Sequence, residues 1–479
     1  MEIVEHSKPC VAMISSPGVG HVTPLLELAK RLVTHHGFSV TFLAIATTEP
    51  SPAQDDLLDS PTMPPYLHVR RLPTVDVSAV VPPDALLVTR LCLIVQESVK
   101  SLKSALVDLG RPKALIIDIF CTEAHDVSRE LGIPSYTFFT TSAAMLAFCL
   151  YLPTLDREVD RSIEFAELNQ PIEVPGCRSI LPEDLLDQAK NRKIEEFSRL
   201  LYHLDRLTLS AGIFLNSWEA LEPVPFKALR ENSFYLNMRV PEIFPIGPVM
   251  KENEPETLKQ SDRDCLEWLN KQPERSVLLI SLGSGGTLTC EQITEIAWGL
   301  ELSQQRFIWV VRRPVDATRS GTYFKAGSND DDPRTYLPEG FLDRTRGVGI
   351  VMPSWIAQGA VIGHPSTGAF LTHCGWNSAI ESIAKGVPMI AWPLYAEQRT
   401  NAVLLTEELG VAVKVRASGE NRVFGREEIA QTVRLVMEGE EGRVMRAKVG
   451  ELMDSAAKAS EPGGPSEVTL ASACKGWKS

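Results

Sequence analysis

Two polar residues in the first quarter of the chain have the types and positions needed for acid–base chemistry. His21 follows a glycine-containing turn after a short apolar run, and Asp118 ends a second apolar run. If both runs are strands of a parallel sheet, their carboxyl ends meet at the edge where α/β proteins place active sites. The other candidates, His35, His36 and His125, match no motif and are predicted to lie on the surface or on a helix face. A carboxylate beside an imidazole fixes its tautomer and stabilises its charged form, so the first pair predicts a general base for a hydroxyl group. Either residue alone fits a helix or turn cap equally well.

A second group of polar residues surrounds a predicted helix start near residue 376. His373, Asn377 and Ser378 lie where the first backbone N–H groups of that helix are free, which suits a bound diphosphate. Glu381 can accept hydrogen bonds from a ribose diol, but Ser378 and Glu381 also match a capping box that needs no ligand. His373 beside Cys374 suggests zinc, yet no second cysteine or acidic ligand stands at metal spacing.

Glycine-rich turns follow one predicted strand in each half of the chain. Residues 18–20 and 283–285 supply the first two glycines of a dinucleotide fingerprint, but Thr23 and Leu288 occupy its third position. Neither turn carries the lysine of a P-loop. NAD-dependent oxidation and ATP binding are therefore disfavoured. Either turn can still offer backbone N–H groups to an anion, and Ser284 adds a hydroxyl donor.

Short apolar runs alternate with amphipathic helical patterns twice along the chain, which is typical of parallel sheets covered by helices on both faces. The predicted strands are residues 11–14, 39–46, 114–117, 136–139, 277–282, 307–311, 349–352, 369–372 and 389–392. The first helix is predicted to start at Thr23, with Pro24 in its first turn. The pattern restarts after a proline-rich and then a polar stretch, which predicts a linker at residues 249–264. The two predicted domains are residues 1–248 and 265–460.

The composition excludes several classes of protein. The 479 residues carry a net charge of −13, which argues against a nucleic-acid partner because such proteins need a basic face. Nine cysteines without a C-x-x-C pair indicate free thiols in a reducing compartment. Neither a signal peptide nor an apolar run of about 20 residues is found, so a cytoplasmic protein without a membrane span is expected.

Residues 355–398 as a whole resemble the nucleotide-sugar signature of plant family-1 UDP-glycosyltransferases. The matching landmarks are Trp355, Gln358, His364, residues 373–378, Glu381, residues 386–388, Glu397 and Gln398. The similarity extends to the turn before His21, the strand that ends at Asp118 and the turn at residues 283–286. It implies the α/β GT-B fold, in which two Rossmann-like parallel-sheet domains face a cleft. It also implies that a C-terminal helix, residues 461–479, returns to the first domain.

The resemblance implies a role for each matching residue. His21 is the expected catalytic base and Asp118 its partner, while Trp355 stacks on uracil and Glu381 binds the ribose. The other expected donor-binding residues are Ser284, Ile356, Gln358, His373, Trp376, Asn377, Ser378, Glu397 and Gln398, of which the last two bind glucose hydroxyls. UDP-glucose is then a co-substrate, and neither a cofactor nor a metal ion is expected.

Two acidic runs could suggest the metal site of a different glycosyltransferase architecture. Residues 262–264 and 330–332 carry aspartates, but neither run follows a predicted strand. Both are therefore predicted to be solvated loops.

One position departs from the family pattern. The family usually has Ala-Pro after the first tryptophan, whereas this chain has Ile356-Ala357. The change removes the ring that stiffens the loop and adds bulk beside the expected uracil site.

The acceptor is expected to enter between the domains, against aromatic walls at Phe120, Phe148 and Tyr395. Residues 332–341 resemble the subgroup that acts on small phenols such as hydroquinone and monolignols. The implied function is an inverting UDP-glucose-dependent glucosyltransferase that makes β-glucosides of small phenols. A flavonoid or other aromatic acceptor is the alternative. A sugar-nucleotide-binding protein without activity is the alternative from another class, and the presence of the base and its partner argues against it.

Overall fold

The computed structural model describes residues 8–49, 51–252, 258–315, 323–325, 332–353, 355–415 and 423–478. Two parallel sheets form its framework, one in each half of the chain. The predicted α/β architecture with two parallel sheets is therefore confirmed. Residues 253–257 of the predicted linker, and residues 330 and 331 of one acidic run, lie outside the described residues.

The first sheet is built from the first half of the chain. Its strands are β1 Cys10–Ser15, β2 Ser39–Ala44, β3 Leu67–Arg71, β4 Ala114–Asp118, β5 Ser135–Phe139, β6 Ile213–Leu215 and β7 Ile243–Pro245. Their spatial order is β3-β2-β1-β4-β5-β6-β7. The central strands β1 and β4 are continuous apolar runs because helices cover both faces of the sheet. The order reverses between β1 and β4, so the crevice that ligands use in such sheets opens at their carboxyl ends.

The helices of the first half pack on this sheet. They are α1 Val19–Thr34, α2 Pro52–Leu58, α3 Val77–Val80, α4 Leu87–Val99, α5 Leu102–Asp108, α6 Ala124–Leu131, α7 Ala143–Glu158, α8 Glu195–Asp205, α9 Pro223–Glu231 and α10 Ser233–Met238. The predicted start of α1 at Thr23 is wrong, because the chain already turns at Gly18, whose φ is 120°. His21 therefore stands in the first turn of the helix, and Pro24 lies inside it.

The second sheet repeats the order of the first. Its strands are β8 Val277–Ser281, β9 Arg306–Val311, β10 Gly349–Pro353, β11 Thr367–Thr372, β12 Met389–Ala391 and β13 Ala412–Lys414, arranged β10-β9-β8-β11-β12-β13. The helices of this half are α11 Gln260–Leu269, α12 Cys290–Ser303, α13 Phe341–Arg344, α14 Gln358–Ile362, α15 Trp376–Ala384, α16 Gln398–Val403, α17 Arg426–Met437, α18 Glu440–Ser460 and α19 Pro465–Ala473. The order reverses between β8 and β11, so a second crevice opens there, facing the first.

Four strands were not predicted from the apolar pattern. Strands β6, β7 and β13 have only three residues each, and β3 is partly exposed, so none gives a long apolar run. β7 contains Pro245 and is tolerated because it forms the edge of its sheet.

Three polar side chains, one predicted to lie in a solvated loop and two on the surface or on a helix face, are buried. Helix α11 begins inside the predicted linker, and Asp262 in its first turn accepts from the backbone N–H groups of Lys259 at 3.2 Å and Ala357 at 2.8 Å. The prediction of a solvated loop is wrong here because the carboxylate ties two segments together. His36 and His125 are 6% and 2% exposed. His125 lies in α6, so the helix-face alternative holds for it, whereas His36 follows the end of α1 and is buried, so the prediction is wrong for His36.

The end of the chain packs on the first sheet. Ser466 Oγ in α19 donates to the carbonyl of Gly247 at 2.6 Å. Beyond α19, the ring of Trp477 is almost fully buried, lies edge-on to Phe38 and Tyr136, and its indole N–H donates to Tyr136 Oη at 3.2 Å. A helix long and apolar enough to cross a bilayer is absent from the described residues.

Candidate active site

A cavity of about 360 Å³ lies between the two sheets and is lined from both halves of the chain. We call this cavity the cleft. His21 and Asp118, at the carboxyl ends of β1 and β4, are brought into contact at its wall. His21 Nδ1 lies 2.6 Å from Asp118 Oδ2. The two residues that the sequence singled out for acid–base chemistry therefore form a pair.

Asp118 is held ionised by its surroundings. Its side chain is fully buried, and it accepts from Ser16 Oγ at 2.6 Å and from the Phe120 N–H at 2.9 Å. Burial alone would raise its pKa, but the charge of His21 and these donors outweigh burial, and the pKa is lowered. The carboxylate thus remains available to stabilise a protonated imidazole.

The pKa of His21 moves the other way. Burial alone would lower it, but the charge of Asp118 and its hydrogen bond, with a contribution from Glu397, raise the pKa above 6.5. Since Nδ1 faces Asp118, Nε2 is the nitrogen left for the cleft. The ring can therefore take a proton on Nε2 while its other side stays paired.

Phe120, which the sequence suggested as a wall of the acceptor site, lies against this pair. Its ring centroid is 5.4 Å from that of His21, and the ring meets His203 edge-on at 5.8 Å. His203 Nδ1 is in turn 2.7 Å from Thr122 Oγ1. Phe120 is thus fixed from behind and presents its other side to the cleft, which it lines.

A proline inside α1 opens a contact between the two halves. Pro24 has no N–H, so the carbonyl of Gly20, four residues before it, lacks its usual partner in the helix. That carbonyl instead accepts from Asn377 Nδ2 of α15 at 2.8 Å. The residue before His21 therefore forms a hydrogen bond with a residue of the expected diphosphate site. The other amide atom, Asn377 Oδ1, is buried and has no partner in the described part of the chain.

Trp376 makes a second contact between the halves. Its side chain is 2% exposed, and the indole N–H donates to the carbonyl of Asn216 at 2.8 Å. Asn216 in turn binds both backbone groups of Val249 with its side-chain amide, at 2.9 and 2.7 Å. The ring of Trp376 therefore joins the two halves, and the backbone is the part of this residue that remains to bind a donor in the cleft.

The polar residues of the second half form one connected group around Gln358. Gln358 Nε2 donates to Ser378 Oγ at 3.0 Å and to Glu381 Oε2 at 2.8 Å, and its Oε1 accepts from Ser281 Oγ at 2.9 Å. Burial raises the pKa of Glu381, and the Gln358 amide opposes that rise. Glu381, for which the sequence suggested ribose binding, also lines the cleft.

His373 lies where two glycine turns leave room for its ring. A Cβ on Gly283 or Gly375 would stand 2.3 or 2.4 Å from His373 Nε2, so both positions need glycine. Burial, aided by the charge of Arg312, lowers the pKa of His373 to about 3. The ring is therefore neutral and can donate one N–H to an anion beside the N-terminus of α15, where Gly375 provides no capping side chain.

The segment that departs from the family pattern is held by Asp262. The N–H of Ala357 exists only because proline is absent, and it donates to Asp262 Oδ1 at 2.8 Å. Ile356 is 4% exposed and packs in the core of the second half, so it offers the cleft mainly backbone. Trp355 is half-buried and lines the cleft, as expected for a residue that stacks on a base. The loop is thus stiffened by a hydrogen bond in place of a ring.

Glu397, Gln398 and Tyr395 follow β12 and line the cleft near the base. Gln398 Oε1 accepts from the backbone N–H groups of Leu394 and Tyr395 at 2.9 and 3.0 Å, which leaves its amide N–H groups for a ligand. Burial raises the pKa of Glu397, and His21 opposes that rise. These residues are positioned to bind hydroxyls, and Ser284 also lines the cleft.

The part of the cleft on the first sheet is mostly apolar. Its lining includes Leu87, Val88, Leu91, Ile119, Phe120, Phe139, Met145, Cys149, Leu186 and Leu200. The predicted wall residue Phe148 is not among them. It is fully buried in the core behind α7, because Met145 and Cys149 occupy the face of that helix that meets the cleft.

Several residues that line the cleft were not predicted from the sequence. Tyr323 lies between β9 and β10, and a Cβ on Gly18 would lie 2.6 Å from its Oη. Arg312 follows β9 and donates to the carbonyls of Gly283 and Gly286, beneath the glycine turn. Thr141 also lines the cleft, and its buried hydroxyl has no partner among the described residues. Only Arg312, a charged residue directly after a buried strand, gave a sequence signal of the kind used for Asp118.

Groups of three or more His, Cys, Asp or Glu side chains able to hold a metal ion are absent from the described residues. His364 lies in a turn, where its Nδ1 accepts from the Ser366 N–H at 3.1 Å and its Nε2 lies 3.1 Å from Asn270 Oδ1. His373 faces the glycine turns, so the two histidines do not converge.

Comparison with known proteins gives the same picture. Residues 244–447 match the family model described as UDP-glucoronosyl and UDP-glucosyl transferase. The chain is 44% identical over 480 residues to the hydroquinone glucosyltransferase of Rauvolfia serpentina, which covers 99% of each chain. It is 43% identical over 474 residues to anthocyanidin 3-O-glucosyltransferase 5 of Manihot esculenta, which covers 99% of this chain and 96% of that one.

Solved structures resemble the chain over its whole length. Phytolacca americana UGT2 complexed with UDP-2fluoro-glucose and pterostilbene has a TM-score of 0.88 at 39% identity, over 99% of this chain and 100% of that one. A UDP-glucosyltransferase of Polygonum tinctorium capable of glucosylating indoxyl, in complex with 3,4-dichloroaniline, has a TM-score of 0.87 at 40% identity, over 98% and 99%. The fold is therefore GT-B.

Proposed function

This chain belongs to the UDP-glucoronosyl and UDP-glucosyl transferase family and is a UDP-glycosyltransferase, and on that premise we propose that it transfers glucose from UDP-glucose to a hydroxyl of a small phenol. The first half, residues 1–248, supplies the base and the acceptor site. The second half, residues 265–460, supplies the donor site. The product is the β-glucoside.

The observation that carries the proposal is the contact of His21 with Asp118 at the wall of a cleft shared by both halves. A protein that only bound a sugar nucleotide would have no use for a buried carboxylate behind an imidazole. Across the cleft stands the group of Ser281, Gln358, Ser378 and Glu381 that the donor motif brings together.

The reaction is a single displacement. His21 Nε2 takes the proton of the acceptor hydroxyl as the oxygen attacks the anomeric carbon of glucose. The bond between that carbon and the diphosphate oxygen breaks, and UDP leaves with the bonding electrons. Asp118 stabilises the imidazolium that forms. Attack from the side opposite UDP inverts the α-linked sugar to a β-glucoside.

The donor is bound without a basic patch. Trp355 stacks on uracil and Glu381 accepts the ribose hydroxyls, while the N-terminus of α15, His373 and Ser284 receive the diphosphate. Glu397 and Gln398 bind hydroxyls of the glucose. Neutral donors and helix amides suit a diphosphate whose negative charge grows as the bond breaks.

The acceptor class follows from the apolar lining of the first half. A flat aromatic ring fits beside Phe120 and buries its surface against leucine and methionine side chains. Two similar proteins have names or ligands of this kind, a hydroquinone glucosyltransferase and a glucosyltransferase bound to 3,4-dichloroaniline. Hydroquinone and monolignols are therefore the first acceptors to test.

The experiment is a UDP-release assay with UDP-glucose and a panel of hydroquinone, coniferyl alcohol, a flavonol and an aniline, run in EDTA. We expect the highest kcat/KM with the single-ring phenols and a product whose anomeric coupling by NMR is that of a β-glucoside. UDP release that needs added Mg²⁺ or Mn²⁺, or an α-linked product, contradicts the mechanism. Binding of UDP-glucose without turnover of any acceptor contradicts the function.

A further inference from the structure

One polar side chain stands out among the apolar residues of the acceptor side. Gln188 lines the cleft together with Leu186 and Leu200, and it is only 6% exposed. Its Oε1 has no hydrogen-bond partner among the described residues. A buried amide oxygen without a partner is destabilising, so such a group is uncommon unless a ligand or water completes it.

The segment that carries Gln188 is held in place from the second half of the chain. It forms a short 3₁₀ turn, Asp187–Ala189. The Asp187 N–H donates to the carbonyl of Ala396 at 3.1 Å, and the Asp187 carboxylate pairs with Arg399. Thr400 Oγ1 donates to the carbonyl of Asp184 at 2.7 Å. Gln188 is therefore positioned before any acceptor binds, which lowers the entropy lost on binding.

The amide can serve either kind of polar partner. Rotation about its last bond exchanges Oε1 and Nε2, which are nearly equal in size. The amide can therefore accept a hydrogen bond from a ligand group or donate one to it. A methyl group in the same place leaves the amide oxygen without a hydrogen bond. A site of this kind discriminates strongly against an analogue that lacks the polar group.

We propose that Gln188 determines acceptor specificity by hydrogen-bonding a second polar substituent of the acceptor, remote from the hydroxyl that His21 deprotonates. The enzyme then favours aromatic acceptors with two hydroxyls, or with a hydroxyl and a comparable polar group, over acceptors with one. This inference rests on the proposed function and deepens it.

The rival role for Gln188 is to bind a hydroxyl of the donor glucose, because Ala396, to which its segment is bonded, precedes Glu397. The two roles differ in the substrate whose binding is weakened when the amide is removed. Acceptor binding predicts a loss that depends on the acceptor used. Donor binding predicts the same loss with every acceptor and a higher KM for UDP-glucose.

The test uses two pairs of acceptors that differ by a hydroxyl and a methyl group. The short pair is hydroquinone and 4-methylphenol, and the long pair is 4,4′-dihydroxybiphenyl and 4-hydroxy-4′-methylbiphenyl. In the Q188M variant, which keeps length but removes hydrogen bonding, we expect kcat/KM to fall about tenfold for the hydroxyl member of at least one pair. The methyl member of that pair should change less than about twofold. The length of the acceptors in the pair whose kcat/KM falls indicates the distance from His21 to Gln188.

The matched control is L200M, which alters the same wall without touching a polar atom and should change both members of each pair alike. Equal losses for both members in Q188M, or a raised KM for UDP-glucose with all acceptors, overturn the proposal. The unaltered enzyme provides a check that does not depend on folding of the variant. If it shows no preference for the hydroxyl member in either pair, the proposal is wrong, whereas no turnover of any phenol rejects the proposed function itself.

Discussion

The two sides of the cleft are built in different ways. The side proposed to bind the donor, here called the donor side, comes mainly from residues 355–398. Its polar side chains form hydrogen bonds with one another, as Gln358 does with Ser281, Ser378 and Glu381. The acceptor side is collected from α4, the ends of β4 and β5, α7 and α8, and is mostly apolar.

The chemistry of the two ligands explains the difference. A nucleoside diphosphate sugar presents fixed hydrogen-bonding groups, so its site must hold donors and acceptors in fixed places, and residues close in sequence do this well. An aromatic acceptor is recognised by shape and buried area, which leucine and methionine side chains from distant segments can supply. We therefore expect substitutions on the donor side to change the kinetic constants strongly and substitutions on the acceptor side to change them only slightly.

The largest effect is expected where the two sides meet. Removing the imidazole in H21A takes away the base, so kcat should fall about 10³-fold with little change in the KM for UDP-glucose. UDP release at saturating donor and acceptor measures this. A variant that keeps more than a tenth of the activity would mean that the base lies elsewhere.

The partner of the base should control the pH profile. The pKa of His21 is raised, and only the neutral ring can accept a proton, so activity should be lost as the pH falls through a value above 6.5. In D118N the charge that raises the pKa is absent, so the midpoint should move to lower pH while kcat falls about 100-fold. A pH–rate profile of both proteins checks this, and an unmoved midpoint would show that Asp118 does not act on the base.

On the donor side, E381A should raise the KM for UDP-glucose about 30-fold, because the proposed acceptor of two ribose hydroxyls is lost. The KM for the acceptor should stay the same. E381Q is the matched control: it retains the shape and should have an intermediate effect. Comparable losses of acceptor and donor affinity would contradict the division of the cleft.

The contact between the sides can be weakened without touching either ligand. In P24A a backbone N–H becomes available to the Gly20 carbonyl and competes with Asn377, so the KM for UDP-glucose should rise about fivefold. The melting temperature should hold or rise, because alanine suits a helix interior better than proline.

The control for P24A is the same change made in an N377A background, measured by the KM for UDP-glucose. If Pro24 acts through Asn377, it should have no further effect there. If P24A still raises the KM for UDP-glucose fivefold in the N377A background, Pro24 acts through α1 itself and not through Asn377.

The smallest effect is expected on the acceptor side. M145L nearly conserves volume at an apolar wall, so the KM for the acceptor should change about twofold to threefold and the KM for UDP-glucose should not change. Initial rates with each substrate varied in turn measure both constants. A tenfold change would mean that this wall recognises its ligand as sharply as the donor side does.

Much of this molecule follows from local sequence. The central strands were predicted because strands covered on both faces must be apolar throughout, and the donor residues were found because their motif is contiguous. The short strands β6, β7 and β13 were missed, whereas β12, also of three residues, was predicted because the apolar run continues to Trp392. The start of α1 was misplaced because a glycine with positive φ begins the helix before the threonine and proline that usually mark such a start.

The acceptor side shows what local sequence cannot supply. Phe148 and Met145 are both apolar residues of α7, and only packing against the sheet decides that Met145 meets the cleft and Phe148 does not. Asp262 was taken for a loop charge because its partner, the N–H of Ala357, is distant in the chain. Gln188 carries no motif at all, and its missing partner is visible only in the folded chain.

The sequence by itself determined the parallel sheets, the approach of His21 to Asp118 and the nucleotide-sugar signature, since each depends on residues close together or on the ends of predictable strands. The tertiary structure alone decided the apolar walls of the cleft, the hydrogen bond from Asn377 to the carbonyl that Pro24 leaves open, and the unpaired amide oxygen of Gln188. The physical reason is that these features depend on which side chains from distant segments share a surface, and packing of the two sheets sets that arrangement.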